Sequence, residues 1–227
     1  MTAADNSKIR KFSPAAIFLG GVILLWAVFS WPCPAHLFSG ICSSDRNVEK
    51  YNKREMISGD HLQFLYHFWL FSDTLSGDTP LFHNVYEFNE GDDNALYKPR
   101  LYYIPFSLIY AAGEKLGGKA FGWNVTGFVS VLMACWFTWL FVGRYTKRRG
   151  IRIAATLVGS CFPYRWITLL SGSPTGLAVS LVPALLFGLD IAVRDGRMRG
   201  GLIAGMAVFI SACVDTHVFF FSVLIAP

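Results

Sequence analysis

Hydrophobic and polar positions fall in long blocks along this chain, not in short periods. A short, largely polar segment of twelve residues, with Lys8, Arg10 and Lys11, precedes an apolar run from Ser13 to Trp31. At about 1.5 Å per residue that run is long enough to cross the hydrocarbon core, so a first transmembrane helix is expected over 13–31. Trp26 and Trp31 near its far end suit interfacial anchors, which favours a retained anchor over a cleaved signal peptide. A polar block, 32–100, follows, with ten acidic and six basic side chains. Apolar stretches then recur at about 101–112, 119–143, 153–171, 175–193 and 200–227.

The basic residues between the apolar stretches set an expected topology. Arg144, Lys147, Arg148, Arg149 and Arg152 form one cluster, and Arg194, Arg197 and Arg199 another. Both belong on the cytoplasmic side, with the N-terminus, under the positive-inside rule. If 101–112 and 119–143 both crossed, the first cluster would fall outside. The shorter stretch is too brief for a full crossing and suits a re-entrant or interfacial helix. The expected path therefore runs inward over 119–143, outward over 153–171, inward over 175–193 and outward over about 200–214. Residues 32–118 become one extracytoplasmic loop, with Ser171–Gly176 and Asp215–His217 on its side. The expected fold is an all-α integral membrane protein, a polytopic helical bundle whose large first loop carries amphipathic juxtamembrane helices. The last run, Val218–Pro227, stops where a span should be under way, as in a fragment of a larger polytopic protein.

Composition sharpens this. Of 227 residues 53% are hydrophobic and only 15% charged, against about a quarter charged in soluble domains. A net charge of +5 raises nucleic-acid binding, but the basic residues flank apolar spans and form no single patch, so no nucleic-acid partner is expected. Of five cysteines, Cys135, Cys161 and Cys213 lie in apolar runs and read as small hydrophobes. Cys33 and Cys42 lie in the polar loop, where an oxidising compartment would let them pair.

Candidate chemistry concentrates in that loop. From Ser58 to Trp69 the sequence reads as an amphipathic helix, placed over 60–75 along the membrane surface, with Asp60, Gln63 and His67 as its polar stripe. Asp60 reads equally as a helix N-cap, since Asp-x-x-Gln resembles a capping box. Ser76-Gly77-Asp78-Thr79-Pro80 ends the helix with turn chemistry. His61, His67 and His83 lack metal-ligand spacing, so no metal site is assigned to them. Glu87, Glu90, Asp92 and Asp93 form an acidic patch that reads as a solvated loop or as a divalent-metal ligand set. Lys98 and Arg100, just before 101–112, can hold a lipid phosphate or anchor to headgroups. Arg165, within Phe162-Pro163-Tyr164-Arg165-Trp166, sits near the outer end of an apolar span, where an ionisable residue either serves function or snorkels. Asp215 and His217 lie at another outer end. Asn124-Val125-Thr126 matches a glycosylation sequon at a membrane boundary and reads as a chance match.

Taken together, the cytoplasmic N-terminus, the outer loop with Gly59-Asp60 and Gln63, the aromatic helix and the turn Leu75-Ser76-Gly77-Asp78-Thr79-Pro80 resemble the N-terminal module of GT-C type polytopic glycosyltransferases. The short re-entrant helix, the basic turns, Phe162-Pro163-Tyr164, and Gly172-Ser173-Pro174 extend the resemblance over nearly the whole chain as a loose pattern. The resemblance implies an inverting transferase that takes a sugar from a polyprenyl-phosphate donor to a glycan, lipid or protein acceptor on the extracytoplasmic side, without a required cofactor. It implies that Asp60 is the general base. Gln63, His67, Lys98, Arg100, Arg165 and His217 are substrate-binding candidates by position. The chain departs from the family's pattern in the long cysteine-bearing insert before Asp60 and in Gly-Ser-Pro where Gly-His is common. A non-catalytic polytopic protein, such as a transporter, lipid-handling or assembly subunit, is the alternative. Clustering of polar residues on the outer side and the lack of an internal repeat favour the enzyme. In a prokaryote the location would be the plasma membrane.

Overall fold

The computed structural model describes residues 13–41, 61–86, 97 and 103–226. Among them the secondary structure is helical and contains no strand; His83 and Tyr97 form one isolated bridge. The elements are α1 (Pro14–Phe29), α2 (His61–Ser76), α3 (Phe106–Val142), α4 (Arg149–Ser160), α5 (Pro163–Leu170), α6 (Pro174–Ala178), α7 (Val182–Asp195), α8 (Met198–Val214) and α9 (Thr216–Ile225). Two helical stretches, Phe106–Val142 and Pro174–Asp195, are long and apolar enough to cross a membrane. The pair α4–α5, bent by 50°, makes a third if counted as one span. Many large apolar side chains face outward, including Leu24, Val158, Val193, Leu202, Phe209 and Leu224. Such a continuous apolar exterior suits lipid and not water.

Local sequence sets where the helices start. Ser13 caps α1, its Oγ accepting the Ala16 N–H at 3.1 Å, and Pro14 follows at the first helical position. Pro163 and Pro174 likewise open α5 and α6. The apolar stretch 153–171 is therefore interrupted. Phe162 takes extended backbone before Pro163, and Trp166 Nε1 donates to the Ser160 carbonyl at 2.8 Å across the break. Helix α7 ends at Gly196, whose φ of 61° is the left-handed conformation that glycine accepts.

Helix α3 is two limbs, 106–117 and 119–142, joined at Gly118 with φ 86° and ψ 176°. In one straight helix Gly113 and Gly122 would be about 13 Å apart. Here their backbones touch: a Cβ on Gly113 would stand 2.8 Å from Gly122 Cα, and one on Gly122 would stand 2.8 Å from the Tyr110 carbonyl oxygen. The first limb thus folds back on the second, and at about 18 Å long it is too short to cross a bilayer.

Two ends of the bundle are recognisable. At one, Arg144 after α3 pairs with Asp190 and with Asp195 (2.8 Å) of α7, and Tyr145 Oη donates to Asp190 at 2.7 Å. The Asp195 hydrogen bonds, then those of Asp190, hold the Arg144 guanidinium above its ordinary pKa. Both basic turns therefore share this end. At the opposite end of the second limb, α2 lies over the bundle. Phe68 stacks on Tyr110 (5.2 Å), and Phe64 meets Trp123 edge-on (5.5 Å), so α2 grips both limbs of α3. Burial of those two phenyl groups contributes about 1.5–3 kcal/mol each. Helices α7 and α8 pack through small residues, Gly188 against Gly200 and Ala204.

Cys33 is in a disulfide, Cys135, Cys161 and Cys213 are free, and Cys42 lies outside the described residues.

Candidate functional site

The end capped by α2 gathers buried polar groups. The buried residues of α2 are His61, Phe64, His67, Phe68, Leu70, Phe71 and Ser72. The ring of His61 is wedged against Gly172: a Cβ there would stand 2.6 Å from the imidazole Cγ, and Gly172 also has φ 72°. Glycine is required at that turn on both counts. His61 Nε2–H donates to the Leu170 carbonyl at 2.9 Å, which fixes the proton on Nε2. Trp123 flanks the same ring at 5.9 Å.

Beside this turn, Ser173 Oγ accepts the Thr175 N–H at the start of α6. Thr175 Oγ1 donates to Asp215 Oδ2 at 2.7 Å, and Asp215 Oδ1 caps α9 by accepting the Val218 N–H at 2.8 Å. Asp215 is buried, and the Nδ1 of the exposed His217 stands 3.8 Å from its Oδ1. A small cavity of about 30 Å³ opens below, between Trp26, Phe64, Trp123, Leu170, Ser173 and Leu177. Its wall includes Asn124, which ties the segment after α1 down by donating from Nδ2 to the carbonyls of Leu37 (3.0 Å) and Gly40 (2.7 Å).

The sequence-predicted residues divide between this end and elsewhere. Asp60, Lys98, Arg100, Glu87, Glu90, Asp92 and Asp93 lie outside the described residues. The expected stripe of Gln63 with His67 is corrected: Gln63 is exposed, whereas His67 is 5% exposed and its Nδ1–H donates to the Gln63 carbonyl at 2.7 Å. His217 is exposed at this end next to Asp215. Arg165 does not snorkel. It is 3% exposed, and its Nε and Nη2 make no hydrogen bond among the described residues. No described carboxylate pairs with it, and an unpaired guanidinium in such a place is costly unless something anionic or wet meets it.

Sequence reasoning missed His61, Thr175 and Asn124 as organisers of this end. For Asn124 a signal existed, since an amide inside an apolar helix needs partners. Its burial at 2% exposure also closes the sequon in the folded chain. Among the described residues no group of three or more His, Cys, Asp or Glu side chains is placed to hold a metal ion. Comparison of the chain with protein-family models, with curated proteins and with solved structures gives no match in any of the three.

Proposed function

We propose that the chain is the membrane-embedded N-terminal module of a GT-C type glycosyltransferase, with α2 at the extracytoplasmic surface and both basic turns in the cytoplasm. The observation that carries this reading is the seating of α2. A helix that begins one residue after Asp60 is wedged by His61 into the Gly172 turn, above an aromatic-walled cavity and beside the Thr175–Asp215 pair. An enzyme acting on a lipid-linked donor needs an acidic loop anchored at such a membrane-facing end.

In this reading the acceptor hydroxyl attacks the anomeric carbon while its proton passes to the Asp60 carboxylate. The bond from that carbon to the lipid phosphate oxygen breaks, the phosphate leaves with the electron pair, and configuration inverts. Lys98, Arg100 and Arg165 offset charge on the departing polyprenyl phosphate. Gln63 and His217, both exposed at the α2 end, contact acceptor or donor sugar hydroxyls, and the buried His67 supports the α2 surface from beneath. A divalent ion on Glu87, Glu90, Asp92 and Asp93 would add charge to this end.

The test is transfer of labelled sugar from membrane polyprenyl-phosphate donors by the full-length parent protein, wild type against Asp60→Asn. Loss of roughly a hundredfold or more in a variant that folds and inserts is expected for a general base. Undiminished transfer moves the base, to Asp92 or Asp93 first. A wild type inactive with every donor sinks the enzyme.

One observation favours a second reading, a transporter or lipid-handling subunit. Buried Arg165 and Asp215 both lie at interrupted helices, at the α4–α5 and α8–α9 breaks, and broken helices with buried charges also line transport pathways.

A further inference from the structure

The basic end carries a feature that the sugar-transfer reading does not use. Between α8 and α9 runs a cleft of about 720 Å³, with Gly201, Gly205 and Ala212 on its floor and Phe219 and Ala226 on its wall. Nothing lies within 4 Å of a Cβ placed on Gly201 or Gly205, so the glycines leave open space instead of admitting a neighbouring helix. Along α8 the floor spans about 16 Å from Gly201 to Ala212. At the α7–α8 turn the cleft meets a second hollow of about 410 Å³, which shares Ala192 and Gly201 with it and is lined by Arg197 and Met198. Arg197 is exposed there and makes no ion pair among the described residues, whereas Arg199 lines neither hollow. The nearby carboxylate, Asp195, is already held by Arg144. A long apolar slot therefore ends on one exposed cation, Arg197.

We propose that this cleft is a binding site for one anionic phospholipid, its acyl chain lying over Gly201 and Gly205 and its phosphate on Arg197. Charge complementarity selects this occupant. The slot is apolar along its length and cationic only at the basic turn, which matches a lipid with one charged end. The other exposed cations of that end, Lys147, Arg148 and Arg149, do not line the slot. The proposal requires only that α8 and α9 lie in a bilayer, and it stands or falls separately from sugar transfer.

The experiment is native mass spectrometry of the detergent-purified full chain, supplied with equal phosphatidylglycerol and phosphatidylcholine of identical acyl chains. Wild type should retain one phosphatidylglycerol in preference. The variant Arg197→Gln should lose that preference by roughly fivefold, the contribution of one basic side chain at an anionic surface. Arg148→Gln should leave it unchanged. Gly205→Leu, which fills the floor, should release both lipids while circular dichroism shows the helices intact; Gly201→Leu gives the same reading if that variant fails to fold. Equal retention of both lipids by wild type, or retention of phosphatidylglycerol by the filled and by the charge-stripped variants, overturns the proposal. So does release of a second copy of the chain, instead of lipid, on filling the cleft, because the slot then belongs to a helix.

Discussion

Gly172 bears two demands at once, a left-handed backbone and contact with the His61 ring. Alanine there meets strain of about 1–2 kcal/mol from φ alone, before the imidazole moves. Gly172→Ala should lower the thermal midpoint in detergent by at least about 3 °C, whereas Gly127→Ala, in open space within α3, should leave it level or higher. Equal midpoints would show that the turn is not tied to His61. Much of this end was hidden in the sequence for one reason: it is built from contacts between residues far apart in the chain. His61 meets Leu170, Thr175 meets Asp215, and Asn124 meets Leu37 and Gly40. Arg165 could be singled out as a charge in an apolar run, but its partnerless interior position could not.

The α3 hairpin turns on glycine at a different kind of place. Gly113 and Gly122 let two helical limbs touch backbone to backbone, so Gly122→Leu should prise them apart. Amide exchange over 106–117 should then rise by at least about tenfold, as local opening becomes easier. Unchanged exchange would mean that the limbs do not depend on each other. Helices as such are readable here because apolar runs are long: the expected 13–31 and 60–75 stand against Pro14–Phe29 and His61–Ser76. Breaks are harder to read. Hydropathy runs without interruption through Cys161–Phe162, and only Pro163 marks a new helix start. At Gly118 a single residue reverses the chain, and a lone glycine in an apolar run does not announce that by itself.

For the molecule as a whole, the Arg144–Asp195 pair brings the two basic turns to one end, and the proposed topology places that end in the cytoplasm. Gly150 is exposed there with nothing within 4 Å of an added side chain. Gly150→Cys should therefore resist a membrane-impermeant maleimide in intact cells and react once the membrane is opened. Labelling from outside would invert the arrangement.

The two ends are also fastened by different forces. One is closed by exposed and half-exposed ions, Arg144, Asp190, Arg194 and Asp195. The other is closed by neutral hydrogen bonds, aromatic faces and a glycine-sized gap. Electrolyte screens only the first kind, over about 8 Å at physiological strength and about 3 Å in molar salt. Concentrated salt thus acts on this bundle as a one-sided solvent, loosening the arginine clasp while the aromatic lid stays shut.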